Sequence, residues 1–196
     1  MSIVIHHRSK SRRDLKVAFC KLALADKDVR TALYTCDALI GLIMQWKGKV
    51  LPFEVAEAFI STIIVAYSRP FVQTSNSFPG KLPKKWHKFS TSEFQATHGE
   101  MLGHRHSLFA HTDPDVHKVT ILPEGCLPKG IGPKPPQVAY SIDALQIPPH
   151  NVIRYRAVCA DLQARLEAES QRILAELYGG MELPGRKFPL RYDDGL

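Results

Sequence analysis

Residues 151–178 read NVIRYRAVCADLQARLEAESQRILAELY, and Val152, Tyr155, Cys159, Leu162, Leu166, Ile173 and Leu177 recur in it at three- and four-residue steps. That period places them on one face of an α-helix, and Gly179-Gly180 ends the pattern. The stretch therefore predicts a long closing helix. Earlier segments carry the same period. From Arg13 to Ala25, Leu15, Ala18, Phe19, Leu22 and Ala25 follow helical spacing, with Asp14 placed to suit the helix dipole. Asp28 is positioned to cap a second helix in which Val29, Leu33, Cys36, Ile40 and Ile43 form a stripe ending near Gly48. Leu39, Leu42 and Met44 widen its apolar face, as expected of a helix central to a bundle or shared with a second subunit.

Pro52 suits the first position of a third helix, whose Ala56, Phe59, Ile60 and Ile63 would face the core, and Pro70 ends helical geometry near Arg69. Residues 71–88, with Gly80, Pro79, Pro83 and the basic run Lys84-Lys85-Trp86-His87-Lys88, read as an exposed connection. Ser90 with Glu93 matches a capping box, so a fourth helix is expected from there to Asp113-Pro114. Residues 114–149 hold eight of the fourteen prolines, yet Lys118–Leu122 and Val138–Ile142 suit short strands. The predicted fold is mainly α: a bundle of about five helices in a single domain spanning 1–196, with a Pro-rich irregular or β-hairpin lobe at about 114–149 inserted in it.

Composition agrees with a globular chain: 196 residues, 44% apolar and 23% charged. Cys20, Cys36, Cys126 and Cys159 are scattered with no C-x-x-C pair, so reduced thiols in a cytoplasmic protein are expected rather than a disulfide framework. The longest apolar stretches are too short to cross a bilayer and no secretory signal is read, so no membrane partner is expected. A net charge of +7 suits a polyanionic partner, of which nucleic acid is the commonest, although a basic surface without such a partner has the same charge.

The chemistry is concentrated in Gly103-His104-Arg105-His106-Ser107-Leu108-Phe109-Ala110-His111-Thr112-Asp113. A metal is one explanation, since histidine binds zinc. Helical geometry opposes it, because about 100° per residue turns His104 and His106 to nearly opposite faces, and His104 and His111 sit roughly 10 Å apart along the axis. No metal or other cofactor is therefore expected. An i, i+4 pair such as Glu100 with His104 is more often a surface hydrogen bond than a ligand pair.

Phosphodiester chemistry is the other explanation. A histidine with a reference pKa of about 6.5 can move a proton at neutral pH, and an arginine grips phosphate oxygens through a permanently charged planar fork. RNA brings its own nucleophile, the 2′-hydroxyl, so the protein need only assist proton transfer and stabilise charge on phosphorus. Arg105 and His111 supply those parts. In a helix they lie roughly 9 Å apart along the axis and about 120° around it, so a two-fold dimer would be needed to gather both around one cleft.

The same segment, from Leu102 to Asp113, resembles the HEPN superfamily pattern: Arg, a polar residue, a short apolar stretch, then Ala-His followed by a small polar residue and Asp. Upstream, Ala66-Tyr67-Ser68-Arg69-Pro70-Phe71 is similar to a segment preceding that pattern in abortive-infection-type members. The resemblance covers about residues 28 to 113 in layout and is specific only in these two segments. It implies a helical bundle, a homodimer, and a metal-independent endoribonuclease of phage defence or a toxin–antitoxin pair, with a possible antitoxin or nucleotidyltransferase partner. By resemblance Arg105 and His111 are catalytic, and His106 occupies an accessory polar position where Asn or Asp is more usual. His104 precedes the arginine at a place where the family fixes no residue.

Substrate-binding roles are expected for Arg69, Lys84, Lys85, Trp86 and His104, the lysines and the indole combining charge and stacking as single-stranded RNA binders do. For Arg69, pairing with a carboxylate or capping carbonyls at a helix end is the rival role. Two other functions stay open: an inactive dimerisation or RNA- or nucleotide-binding module of the same fold, and a zinc-dependent hydrolase built on the histidines.

Overall fold

A computed structural model of the chain describes residues 11–46, 51–72, 80–106, 118–122, 137–141 and 149–179. They form four α-helices, α1 (Arg12–Gln45), α2 (Phe53–Ser68), α3 (Ser92–His104) and α4 (Pro149–Tyr178), two 3-10 turns (Arg69–Phe71 and Lys84–His87), and two strands. The strands β1 (Lys118–Leu122) and β2 (Gln137–Ser141) pair antiparallel with Lys118 opposite Ser141 and Leu122 opposite Gln137. The fold is mainly helical, as the periodicity predicts.

The helix count differs from expectation because the first two predicted helices are one. Residues 26–28 contain neither proline nor glycine, and the buried stripe Leu22, Ala25, Val29, Ala32, Cys36 and Leu39 passes through them without a change of phase. Asp28 is therefore not a cap. Asp26 instead pairs with Arg30 one turn on, at 2.8 Å, and Asp28 reaches Arg69 at 3.5 Å. The true start of α1 is Ser11, whose hydroxyl accepts from the Asp14 N–H at 3.1 Å while the Asp14 carboxylate accepts from the Ser11 N–H at 3.3 Å. Ser11→Ala is expected to lower stability by about 1 kcal/mol, read as a lower urea midpoint at unchanged slope.

α1 and α4 make the most extensive helix contact. They run antiparallel, since Arg12 donates to the Leu177 carbonyl at 3.4 Å near one end and Arg156 pairs with Asp37 further along. Every residue of the closing-helix stripe is buried. It meets Val29, Ala32, Cys36 and Leu39 of α1, Ile60, Ile63, Ile64 and Tyr67 of α2, and Met101 of α3 in one apolar core. Cys36 and Cys159 are both buried, and no disulfide joins the cysteines of the described residues. Among the described residues, no helix is long and apolar enough to cross a membrane.

The connection before α3 departs from an exposed loop. Gly80 takes a φ of 77°, in the left-handed region glycine tolerates. Two residues on, the Leu82 N–H bonds the Pro70 carbonyl at 2.7 Å. Leu82 and Trp86 are buried, so this segment is pinned to the bundle by two apolar side chains between its charges. Residues 73–79 of the same connection lie outside the described residues.

Candidate functional site

α3 carries His98, Glu100 and His104 and leads into Arg105 and His106. Its cap is Thr91 rather than Ser90: the Thr91 hydroxyl accepts from the Phe94 N–H at 3.1 Å. From that start, Thr97, His98 and Met101 face the core, and Arg105 follows seven residues after His98 and four after Met101. The helix ends at His104, and Arg105 and His106 form a π turn, a widening that recurs at functional positions. The rest of the predicted run to Asp113 falls in residues 107–117, which include His111 and lie outside the described residues.

Within the last two turns of α3, charges are paired in a definite order. The Glu100 carboxylate accepts from the Tyr155 hydroxyl at 2.6 Å and from Arg154 at 3.0 Å, and lies 3.6 Å from His104 Nε2. Arg154 also donates to Thr97 Oγ1 and to Asn151 Oδ1, each at 3.0 Å. Burial acts to raise the Glu100 carboxyl, but the Tyr155 hydroxyl, Arg154 and His104 together hold it below the ordinary carboxylate value. Burial, and then the Glu100 carboxylate, push the Tyr155 phenol far up, so it stays a donor.

Arg105 stands apart from this network. Its backbone N–H caps the helix on the Leu102 and Met101 carbonyls, and the residue is partly buried, while its guanidinium makes no hydrogen bond or ion pair with the described residues. His106 is exposed. The structure thus brings Arg105, His106 and His104 to one helix end.

The other predicted contacts do not gather there. Arg69 is exposed and faces Asp28, the structural alternative raised by its place before Pro70. Lys85 pairs with Glu169 at 3.0 Å, and Lys84 is exposed. Trp86 departs from the expectation of a stacking platform: it is 5% exposed, with Lys85 Nζ and the Arg165 guanidinium each 5.4 Å from its ring centre. An indole so covered packs as core and offers no open face to a base. A hollow of about 360 Å³ beside it, between α1, Leu82 and α4, includes Lys85 and Trp86 but neither Arg105 nor His104.

The sequence gives no partner for His98, yet it is the most buried histidine described. The Tyr67 hydroxyl and His98 Nδ1 share a hydrogen bond at 2.8 Å, and Nε2 lies 3.4 Å from His87 Nδ1. The Phe71 and Phe89 rings stand 4.8 and 5.0 Å away. Burial, helped by His87 and Arg165, pushes the imidazole down to about 4. Because the unfolded chain binds this proton at about pH 6.5 and the folded chain only near 4, stability is lost as pH falls between those values, by roughly 2–3 kcal/mol. Urea melts from pH 7 to 4 are expected to show that slope, and His98→Gln to flatten it. A slope identical in the variant would place the acid sensitivity elsewhere.

Comparison with family models, with curated proteins and with solved structures gives no match. The functional reading therefore rests on the residues of this chain.

Proposed function

We propose that the protein is a HEPN-like, metal-independent endoribonuclease that cuts RNA by attack of the 2′-hydroxyl on the adjacent phosphate. Arg105 grips the phosphate and stabilises its growing charge, His111 takes the 2′-hydroxyl proton, and His106 adds a polar contact. The observation that carries this reading is the guanidinium of Arg105. Arg105 is partly buried just past the end of α3 and pairs with no carboxylate among the described residues, whereas the nearby cations Arg154 and His104 of the α3–α4 contact face Glu100. A guanidinium with no carboxylate partner among the described residues is suited to an anion from outside.

In this reading the working unit is a homodimer in the cytoplasm, whose two α3 ends share a cleft, and an antitoxin or nucleotidyltransferase restrains it within a phage-defence or toxin–antitoxin pair. The net charge of +7 favours the encounter with RNA. The test is to incubate the purified protein with tRNA or messenger RNA in EDTA beside Arg105→Ala and His111→Ala. Cleavage by the wild type and by neither variant supports the proposal, whereas activity that EDTA abolishes overturns it in favour of a zinc-dependent hydrolase.

A second reading, an assembly module of the same fold without turnover, is favoured by the exposure of Tyr34 (61%) and Met44 (73%) along α1. RNA binding without cleavage in the same experiment would select it.

A further inference from the structure

We infer that Glu100 and His104 form a carboxylate–imidazole pair that delivers a proton to the leaving oxygen in the proposed reaction, an assignment that rests on the nuclease reading. Glu100 is held firmly. A lone i, i+4 Glu–His pair on a helix surface is loose, because both side chains sample other rotamers. This carboxylate is fixed from a second helix: Tyr155 donates to the oxygen that faces His104, and Arg154 donates to the other. Arg154 is in turn braced by Thr97 and Asn151. Glu100 has therefore little freedom to turn away from His104.

A fixed carboxylate orients an imidazole and sets which nitrogen carries the proton it faces. With Nε2 turned toward Glu100, Nδ1 is the nitrogen left to meet a substrate. His104 and Glu100 side chains are each 27% exposed, partly shielded yet reachable, and His104 directly precedes Arg105. Arg154 and Tyr155 tie α3 to α4 through the Glu100 carboxylate, so the cross-helix contact does not depend on His104.

The reaction has a vacancy that the pair fills. As the 2′-oxygen bonds to phosphorus its proton passes to the base, the P–O5′ bond breaks, and the departing 5′-oxygen takes the electron pair. That oxygen needs a proton, which His104 supplies from Nδ1, leaving a neutral ring whose Nε2–H still faces Glu100. The products are a 2′,3′-cyclic phosphate and a 5′-hydroxyl, and solvent returns the proton to His104.

A substrate with sulfur in place of the bridging 5′-oxygen separates this role from a structural one, because a thiolate leaves without a proton. His104→Ala is expected to cut ordinary RNA about 100- to 10,000-fold more slowly, yet to cleave the sulfur-bridged RNA within a few-fold of the wild type. Glu100→Gln should fall between, and Arg105→Ala should fail on both substrates. The inference is overturned if His104→Ala cleaves ordinary RNA at the wild-type rate, or if a variant with wild-type melting is equally impaired on both substrates. Should His104→Ala not fold, His104→Gln is read by the same criteria. A wild type that cleaves neither substrate overturns the nuclease reading itself and this assignment with it, whereas normal cleavage by wild type and His104→Ala alike removes this assignment alone.

Discussion

Replacing Arg105 with alanine is expected to lower RNA cleavage by about 100- to 1,000-fold, the usual cost of deleting a preorganised group aimed at transition-state charge. The effect should appear in the catalytic rate with little change in folding, since the guanidinium makes no hydrogen bond or ion pair with the described residues whose loss would destabilise the bundle. Arg105→Lys separates charge from geometry. It keeps the positive charge but loses the planar fork that fits two phosphate oxygens, so an intermediate rate is expected. Single-turnover cleavage of tRNA by the three proteins, with thermal melts of each, measures both parts. A large drop in melting temperature for Arg105→Ala would make the residue a structural one.

The largest stability effect is expected at Leu162, where α4 crosses the middle of the core. Leu162 is fully buried, and truncation to alanine leaves a cavity that packed neighbours on the other helices close only in part. A loss of about 3–4 kcal/mol is expected, which for a chain of this size lowers the melting temperature by roughly 10 °C. Ile153→Ala is the matched control. Ile153 is on the same helix but 58% exposed, so its truncation should change stability by no more than about 0.5 kcal/mol. Calorimetry or circular dichroism decides between them, and equal melting temperatures for the two variants would contradict the burial of α4.

The closing helix was legible because its stripe is unbroken over many turns and burial follows period directly: Val152, Tyr155, Cys159, Leu162, Leu166, Ile173 and Leu177 all face the core. The first helix was misdivided because Asp28 has the chemistry of a cap, and side-chain chemistry alone does not tell a capping aspartate from one in mid-helix that pairs with a distant arginine. The continuous stripe from Leu22 to Leu39 was the better guide. β1 was predicted with its observed ends, and β2 with a shift of one residue.

At the site, adjacency was readable and environment was not. Sequence placed His104, Arg105 and His106 together because they are neighbours. It could not show that Glu100 is held by Arg154 and Tyr155, more than fifty positions away, because that contact exists only once α3 packs on α4. The burial of Trp86 and the partners of His98 were missed for a related reason. Each sits among polar residues in the chain, and what packs on it, Arg165 on Trp86 and Phe71 and Phe89 on His98, arrives only with the fold, which local pattern does not reveal. Lysines flanking an indole look alike whether the ring stacks on a base or lies beneath Arg165.

The central claim is that a positively charged helix end cuts RNA through the RNA's own 2′-hydroxyl, with Arg105 on the phosphate. Mass spectrometry of the termini left on a short defined RNA after incubation in EDTA tests it most directly. The account predicts 2′,3′-cyclic phosphate and 5′-hydroxyl ends from the wild type and intact RNA from Arg105→Ala; ends bearing 3′-hydroxyl and 5′-phosphate, or equal cleavage by both proteins, would contradict it.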